Sequence, residues 1–479
     1  MNNVVLMTNY VMGKMRRIYF MSLPENRRDY KKSRVCYTVG DSAAQTIVQL
    51  AGGTFLATLM GVLGISDGNI GVIASISSLA AIANLISMKL SAKLEKNKLF
   101  VCVTVMQKFW LAFMFFIPLL EISSGMKQIL MVACYALAQI SIQVGTPATV
   151  DWVASLIPTK LRGRYYSIKD SIAVFVIVTV MLIMGIFVDT VKEININIGF
   201  VVLGLVIALL TLINVVSFSK MKEPKISKTD GAGKEIHGSL VKKTRSSADR
   251  KPDISIIKET KAAFKSKGFR KILILNGLWL TAFYSASPFN SSYQIKDLSL
   301  PYTYIMILSF VTNMLRIYLT PKAGKLADKL GMDRVLKWAL SAMGLHYLMM
   351  TLSRPANAYV MAACASTFSA LGWTFVGIGM LGVQLEYLDE KKRIVQYALF
   401  AMISGVYGFC VSFFAGRALD FFQGLNLSIA GNKIYAQQVT NITGVLFVII
   451  TVIYLSKSII NGEKNKVEEK KTENDKNVV

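Results

Sequence analysis

The chain is short of the residues on which most catalytic centres depend. Its 479 residues include two histidines, His237 and His346, and five cysteines. Cys36, Cys102, Cys134, Cys364 and Cys410 have no metal-ligand or disulfide spacing, and four of the five fall in apolar runs, so they read as small apolar residues. His346 stands alone in an apolar run and reads as a packed residue. With no His/Asp/Glu cluster and no Cys/His pair, neither an enzyme, a metal site nor a cofactor is expected. There is no G-x-x-x-x-G-K-(S/T) stretch, so ATP is not expected as an energy source. Charge of either sign is scarce: Asp, Glu, Lys and Arg make up 17% of the chain, against 53% hydrophobic residues. That is the composition of a membrane protein.

A net charge of +26 would suit a nucleic-acid binder, but the positions of the charges exclude that reading. They sit in short segments between apolar runs at about 42–64, 70–90, 99–120, 127–150, 170–188, 195–218, 272–290, 302–320, 335–352, 357–383, 396–417 and 442–458. Each run approaches the ~20 apolar residues that a spanning helix needs, so an all-α membrane protein of twelve transmembrane helices is expected. With both termini cytoplasmic, 46 of the 54 Lys and Arg fall inside and five outside. That asymmetry sets the topology. Residues 1–39 then form a basic cytoplasmic leader. Its mildly apolar stretch Val4–Met12 precedes Lys14, Arg16 and Arg17, the wrong order for a secretory signal, so no cleavage is expected.

Residues 219–270 separate segments 6 and 7 and read as a cytoplasmic linker, Lys-rich and interrupted by Gly and Pro. Its end differs. Asp253 can cap a short helix with Ile254, Ile256, Ile257 and Phe264 apolar and Lys258, Lys261 and Lys265 charged, the pattern of an amphipathic helix on the inner leaflet. A solvated linker is the alternative. Residues 461–479 form a charged cytoplasmic tail.

The most informative stretch is Pro321–Trp338, read as a short basic turn between two apolar runs. Gly324 favours close helix approach and Gly331 a tight turn. Asp328 can accept backbone N–H bonds at a helix start and pair with a cation. Gly324-x-Leu326-Ala327-Asp328-Lys329-x-Gly331-x-x-Arg334 resembles the G-x-L-A-D-(R/K)-x-G-(R/K)-(R/K) signature of the major facilitator superfamily of secondary transporters. A second copy supports it. Met88–Phe100 aligns on Gly324–Leu336 without a gap, placing Lys89-Leu90 on Lys325-Leu326, Lys93-Leu94 on Lys329-Leu330 and Lys98 on Arg334. Both stretches follow the second segment of their half, as two parallel repeats require. The first copy has Met88 and Ala92 at the Gly and Asp positions, a departure from the family, which usually keeps its fuller copy there. Segment 5 also lacks the Gly-Pro pair, and segment 4 the Arg, that drug antiporters of this superfamily usually carry. Both absences count against a multidrug antiporter.

The resemblance implies two six-helix bundles (40–218 and 271–460) that move a small solute across the plasma membrane by alternating access. It also implies that Asp328 docks on the start of a helix in the other half, here near Lys169–Ser171. Lys329, Gly331, Arg334, Arg162, Arg164 and Arg316 then serve as gate or anchor residues beside Gly324 and Asp328. In this fold segments 1, 4, 7 and 10 are expected to face the cavity. The substrate candidates are accordingly Gln45 and Gln49, Gln139 and Gln143, Asn276, Trp279 and Tyr284, and Trp373 and Gln384. Each Gln pair is spaced i,i+4, which sets both amides on one helical face. Their donors and acceptors suit a polar solute, although interhelical packing is the alternative use. Lys108 lies nine residues into segment 3, about 13 Å deep at ~1.5 Å per residue. There a charge costs at least ~2.5 kcal/mol. It needs a cavity, a partner or an anionic group of the substrate, or else snorkels. No Asp or Glu falls within the middle of a predicted segment, so coupling to H+ or Na+ is assigned to the terminal carboxylates Asp151 and Glu386. Membrane lipids and a small solute are the expected partners, without nucleic acid, and a monomer is expected. Composition leans toward a bacterial membrane. The competing reading is a transporter-like sensor or scaffold working through its basic linker.

Overall fold

A computed structural model of the protein describes residues 31–83, 97–156, 162–222, 228–229, 235–236, 261, 263–387, 393–425, 428–429 and 432–460. Most of these are helical: α1 (Lys31–Leu50), α2 (Gly53–Val62), α3 (Asp67–Ala74), α4 (Asn97–Met106), α5 (Phe109–Phe113), α6 (Ser124–Leu156), α7 (Arg162–Ser219), α8 (Lys267–Ser292), α9 (Tyr302–Leu330), α10 (Met332–Leu352), α11 (Ala358–Tyr387), α12 (Arg393–Gly424) and α13 (Ala436–Tyr454). The strands among them are two-residue antiparallel ladders. Eight helices among the described residues are long and apolar enough to cross a membrane, nine when α1 and α2, bent by 43°, form one span. Within α7 the 52-residue stretch Ile168–Ser219 breaks at Asn195, with φ −163° and ψ 111°. At ~1.5 Å per residue it is long enough for two crossings of a ~30 Å core.

Exposed apolar residues follow helical spacing. Ile442, Leu446, Ile449 and Ile453 form a stripe on α13, and Leu205, Leu209, Leu212 and Val216 one on α7. Such a stripe marks a face that lipid covers rather than water.

The chain divides into two compact units. The first comprises Met1–Gly64 and Ala80–Ile254, the second Ile65–Leu79 and Ser255–Val479. In the first, α1 lies along α7. Tyr37 stacks on Phe218 at 5.8 Å, and a Cβ on Gly40 would come 2.7 Å from the Phe218 ring, so glycine sets that close approach. Thr38 and Tyr165 bond through their hydroxyls at 3.1 Å, and Tyr165 donates to the Arg34 carbonyl at 2.8 Å. Trp152, Val101 and Val105 complete this core.

The second unit is built on α8, α10, α11 and α13, whose core includes Phe269, Trp279, Leu340, Met343, Tyr347 and Val448. Asn290 and Asn441 exchange side-chain amide bonds at 2.7 and 3.3 Å, cross-linking α8 to α13 without a charge. Segment 65–79 belongs to this unit although it comes from the first half of the sequence. A Cβ on Gly68 would fall 2.1 Å from the Gly416 carbonyl oxygen, so α3 and α12 meet backbone to backbone.

Two boundaries differ from the hydropathy reading. First, α1 is already helical at Lys31, eleven residues before the first apolar segment, because polar Ser33, Arg34, Thr38 and Ser42 are buried against neighbouring helices rather than solvated. Second, α9 continues through Pro321, Gly324 and Asp328 to Leu330. The signature is therefore mostly helical, Asp328 lies in a last turn rather than at a helix start, and the turn itself is Gly331 with φ 92°. Residues 84–96, which include most of the first copy of the signature, and residues 251–260 of the expected amphipathic helix lie outside the described residues.

Candidate functional site

The first unit contains an open cavity of about 320 Å³. One wall is a stripe of α1, Tyr37, Asp41, Gln45, Val48 and Gln49, at the i,i+4 spacing of a single helical face. Another is Ser141, Ile142, Gly145, Thr146 and Thr149 of α6. The third is Thr104, Val105 and Lys108, where the chain breaks between α4 and α5. Of the sequence-selected residues, Gln45, Gln49 and Lys108 meet here. Gln139 is buried and Gln143 half-buried on α6, but the lining of this cavity comes from other residues of that helix.

The hydroxyls of the wall are largely occupied within their own helices. Thr146 donates to the Ile142 carbonyl at 2.7 Å, Thr149 to Gly145 at 2.8 Å and Thr104 to Val101 at 2.9 Å. The charged groups are arranged differently. Asp41 Oδ2 accepts Lys169 Nζ at 2.6 Å and Gln45 Nε2 at 2.7 Å. Lys169 also pairs with Asp170 at 2.8 Å and lies over the Tyr37 and Tyr166 rings at 5.7 and 5.8 Å. Lys108 Nζ donates to Asn214 Oδ1 at 3.0 Å, and Asn214 Nδ2 donates to the Gly40 carbonyl at 2.7 Å. The Gly40 bond fixes which end of the Asn214 amide faces the ammonium.

Asp41 is not among the sequence-selected site residues, and Lys169 is named there only near the expected docking point of Asp328; each lies one residue before an apolar segment. Only their position within helices that begin earlier brings Asp41 into the wall of this cavity.

In the second unit Asn276, Trp279 and Tyr284 all project from α8. Trp279 and Trp373 meet edge to face at 6.0 Å, and Phe283 sits between Trp373 (5.5 Å) and Tyr284 (5.0 Å). Tyr284 also bonds the Ser78 hydroxyl. Asn276 Nδ2 donates to Ser404 Oγ at 2.8 Å beside a cavity of about 340 Å³ lined by α8 and α12. Gln384 is buried in α11. Arg316 is half-buried in α9, while Lys329 and Arg334 are exposed around the Gly331 turn. The side chains of Asp151, Arg162, Arg164, Asp328 and Glu386, and the surroundings of Gly324, lie outside the described residues.

A charged knot in the second unit was not anticipated. Asp67 Oδ1 accepts Ser292 Oγ at 2.5 Å and Lys296 Nζ at 2.6 Å, and its Oδ2 accepts Gln423 Nε2 at 2.9 Å. Next to it, Asp420 accepts Ser66 Oγ and the Gly68 amide, both at 2.9 Å. These bonds tie the start of α3 to α8 and α12. The sequence signal was weak: a lone Asp in a loop, with partners more than 220 residues away.

Comparison with known proteins agrees with this architecture. A single-residue mutant of the nucleoside transporter NupG is similar at a TM-score of 0.64 and 12% identity, over 89% of this chain and 100% of that one. A bacterial homologue of the iron transporter ferroportin in an inward-facing state gives 0.61 and 14%, over 90% and 98%. The xylose transporter XylE from E. coli in a partially occluded inward-open conformation gives 0.58 and 13%, over 89% and 99%. At these identities the likeness shows a shared fold. A search of curated protein sequences finds no match. The family model of the Major Facilitator Superfamily matches residues 42–412. The chain therefore belongs to the Major Facilitator Superfamily, a family of membrane transporters.

Proposed function

We propose that the protein moves a small polar solute across a bacterial plasma membrane by alternating access, with twelve crossings in two six-helix halves and both termini in the cytoplasm. The observation that carries this reading is the cavity of the first unit. Three residues selected for substrate contact, Gln45, Gln49 and Lys108, line it together, and it is lined by uncommon polarity for an apolar helical bundle. The aromatic and amide group of Asn276, Trp279, Tyr284, Trp373 and Gln384 is the corresponding candidate surface of the second unit. Gly324, Asp328, Lys329, Gly331 and Arg334, with Arg162, Arg164 and Arg316, act in gating. Coupling to H+ or Na+ falls to Asp151 and Glu386, and Asp41 joins them because it is a carboxylate in the cavity wall itself.

The test is ligand-dependent thermal stabilisation of the purified protein with sugars, amino acids, organic acids and nucleosides, followed by uptake into proteoliposomes. One class is expected to stabilise and to be taken up, and Gln45→Ala with Gln49→Ala to weaken both. Stabilisation by none of them would overturn the reading.

A further inference from the structure

We infer that the cavity of the first unit takes a solute bearing an anionic group, carboxylate or phosphate, with Lys108 as its charge partner. The inference rests on the transporter reading and names the substrate class of that site. It begins from the distribution of charge around the cavity. Lys108 is buried, with 8% of its surface exposed, so its ammonium has little water around it. A buried cation is ordinarily held by a carboxylate. Here its hydrogen-bond partner is Asn214, a neutral amide that is itself fully buried and held in orientation by the Gly40 carbonyl. Asn214 can orient the ammonium but cannot neutralise it.

The carboxylate in the same wall is already engaged. Asp41 receives the Lys169 ammonium and the Gln45 amide on one oxygen, and Lys169 is the more deeply placed member of that pair. Among the described residues no carboxylate lies within ion-pairing distance of Lys108. An ammonium has three donors, and Lys108 gives one to Asn214. The backbone carbonyl of Gln49 accepts from Gly52, but its side chain, exposed on the same cavity, has no hydrogen bond among the described residues and adds an amide. The site thus offers a positive charge that has no carboxylate in contact with it among the described residues, with Asp41 only across the cavity wall, and an amide side chain beside it, in a space of about 320 Å³, large enough for a small organic acid. Opposite charge is strongly favoured there because the surroundings screen poorly.

The experiment uses full-length purified protein and matched pairs of probes: benzoate with benzamide, succinate with succinamide, and glycerol 3-phosphate with glycerol. Thermal-shift titration gives an apparent affinity for each. At least one acid is expected to bind about ten-fold or more tightly than its neutral counterpart, Lys108→Gln to erase the difference, and Lys108→Arg to keep it. The carboxylate and phosphate arms tell the two anions apart. Equal binding of acid and neutral counterpart in the wild type, or a preference that survives Lys108→Gln, would overturn the assignment. The wild-type comparison needs no variant and stands even if Lys108→Gln is not recovered folded. Neutral solutes binding while every acid fails would overturn the anion assignment and leave the transporter reading intact. Failure of every compound here would overturn the anion assignment, and only failure of the sugars, amino acids and nucleosides as well would overturn the transporter reading.

Discussion

The ammonium of Lys296 sits 2.6 Å from Oδ1 of Asp67, in a carboxylate that also accepts Ser292 and Gln423. The two partners are not equivalent. The Lys296 side chain is 38% exposed and that of Asp67 11%, so water can take over one and not the other. Lys296→Met is expected to cost about 1 kcal/mol or less, as partly exposed ion pairs do. Asp67→Asn sets an amide N–H against the N–H of either Gln423 or Lys296 and is expected to cost about 2–3 kcal/mol. Denaturant unfolding of the two variants checks the order, and equal losses would show that the pair alone, not the converging donors, holds this corner.

Glycine at position 68 is a packing requirement rather than a turn requirement. A Cβ there would meet the Gly416 oxygen at 2.1 Å and the Asp420 carboxylate at 2.6 Å, and backbone cannot swing aside. Gly277, by contrast, has only the edge of Tyr407 at 3.8 Å. Gly68→Ala is expected to lower the melting temperature by several degrees, an overpacking loss of about 1–3 kcal/mol. Gly277→Ala is expected to leave it unchanged or raise it.

Asp41 and Lys169 form the most enclosed ion pair among the described residues of the first unit, with side chains 19% and 7% exposed. Asp41→Asn leaves the Lys169 ammonium to the exposed Asp170, and a loss of about 2–4 kcal/mol is expected. Removing both charges, Asp41→Asn with Lys169→Met, should be less damaging than the first substitution alone. A double-mutant cycle read by thermal unfolding measures the coupling, and additive losses would argue that the two residues act independently.

For the signature turn, Asp328→Ala and Gly324→Leu are each expected to reduce proteoliposome uptake at least about ten-fold, a barrier change of ~1.4 kcal/mol. The amount of protein recovered in the membrane should not change. Full uptake by both variants would remove Asp328 and Gly324 from the gating role.

Much of this protein is determined by its sequence alone. Length of apolar runs and the placement of Lys and Arg depend on transfer into a bilayer, a property of each segment by itself, and they identify the helical membrane class. The G-x-L-A-D stretch named the family for the same reason: its demands are local, and Gly331 does turn the chain at φ 92°. Gln45, Gln49 and Lys108 can be picked out as candidates because polar groups in apolar runs are costly in lipid, and the structure adds that the three line one cavity. Tertiary structure decided the rest. Hydropathy ends a helix where polarity begins, but Arg34, Thr38 and Asp41 continue α1 because α6 and α7 supply partners for them. It could not reveal that Asp41 is satisfied by Lys169 while Lys108 has only an amide, nor that Asp67 collects donors from α8 and α12. Those outcomes depend on which distant side chains share a low-dielectric space, and that is settled only when the helices pack.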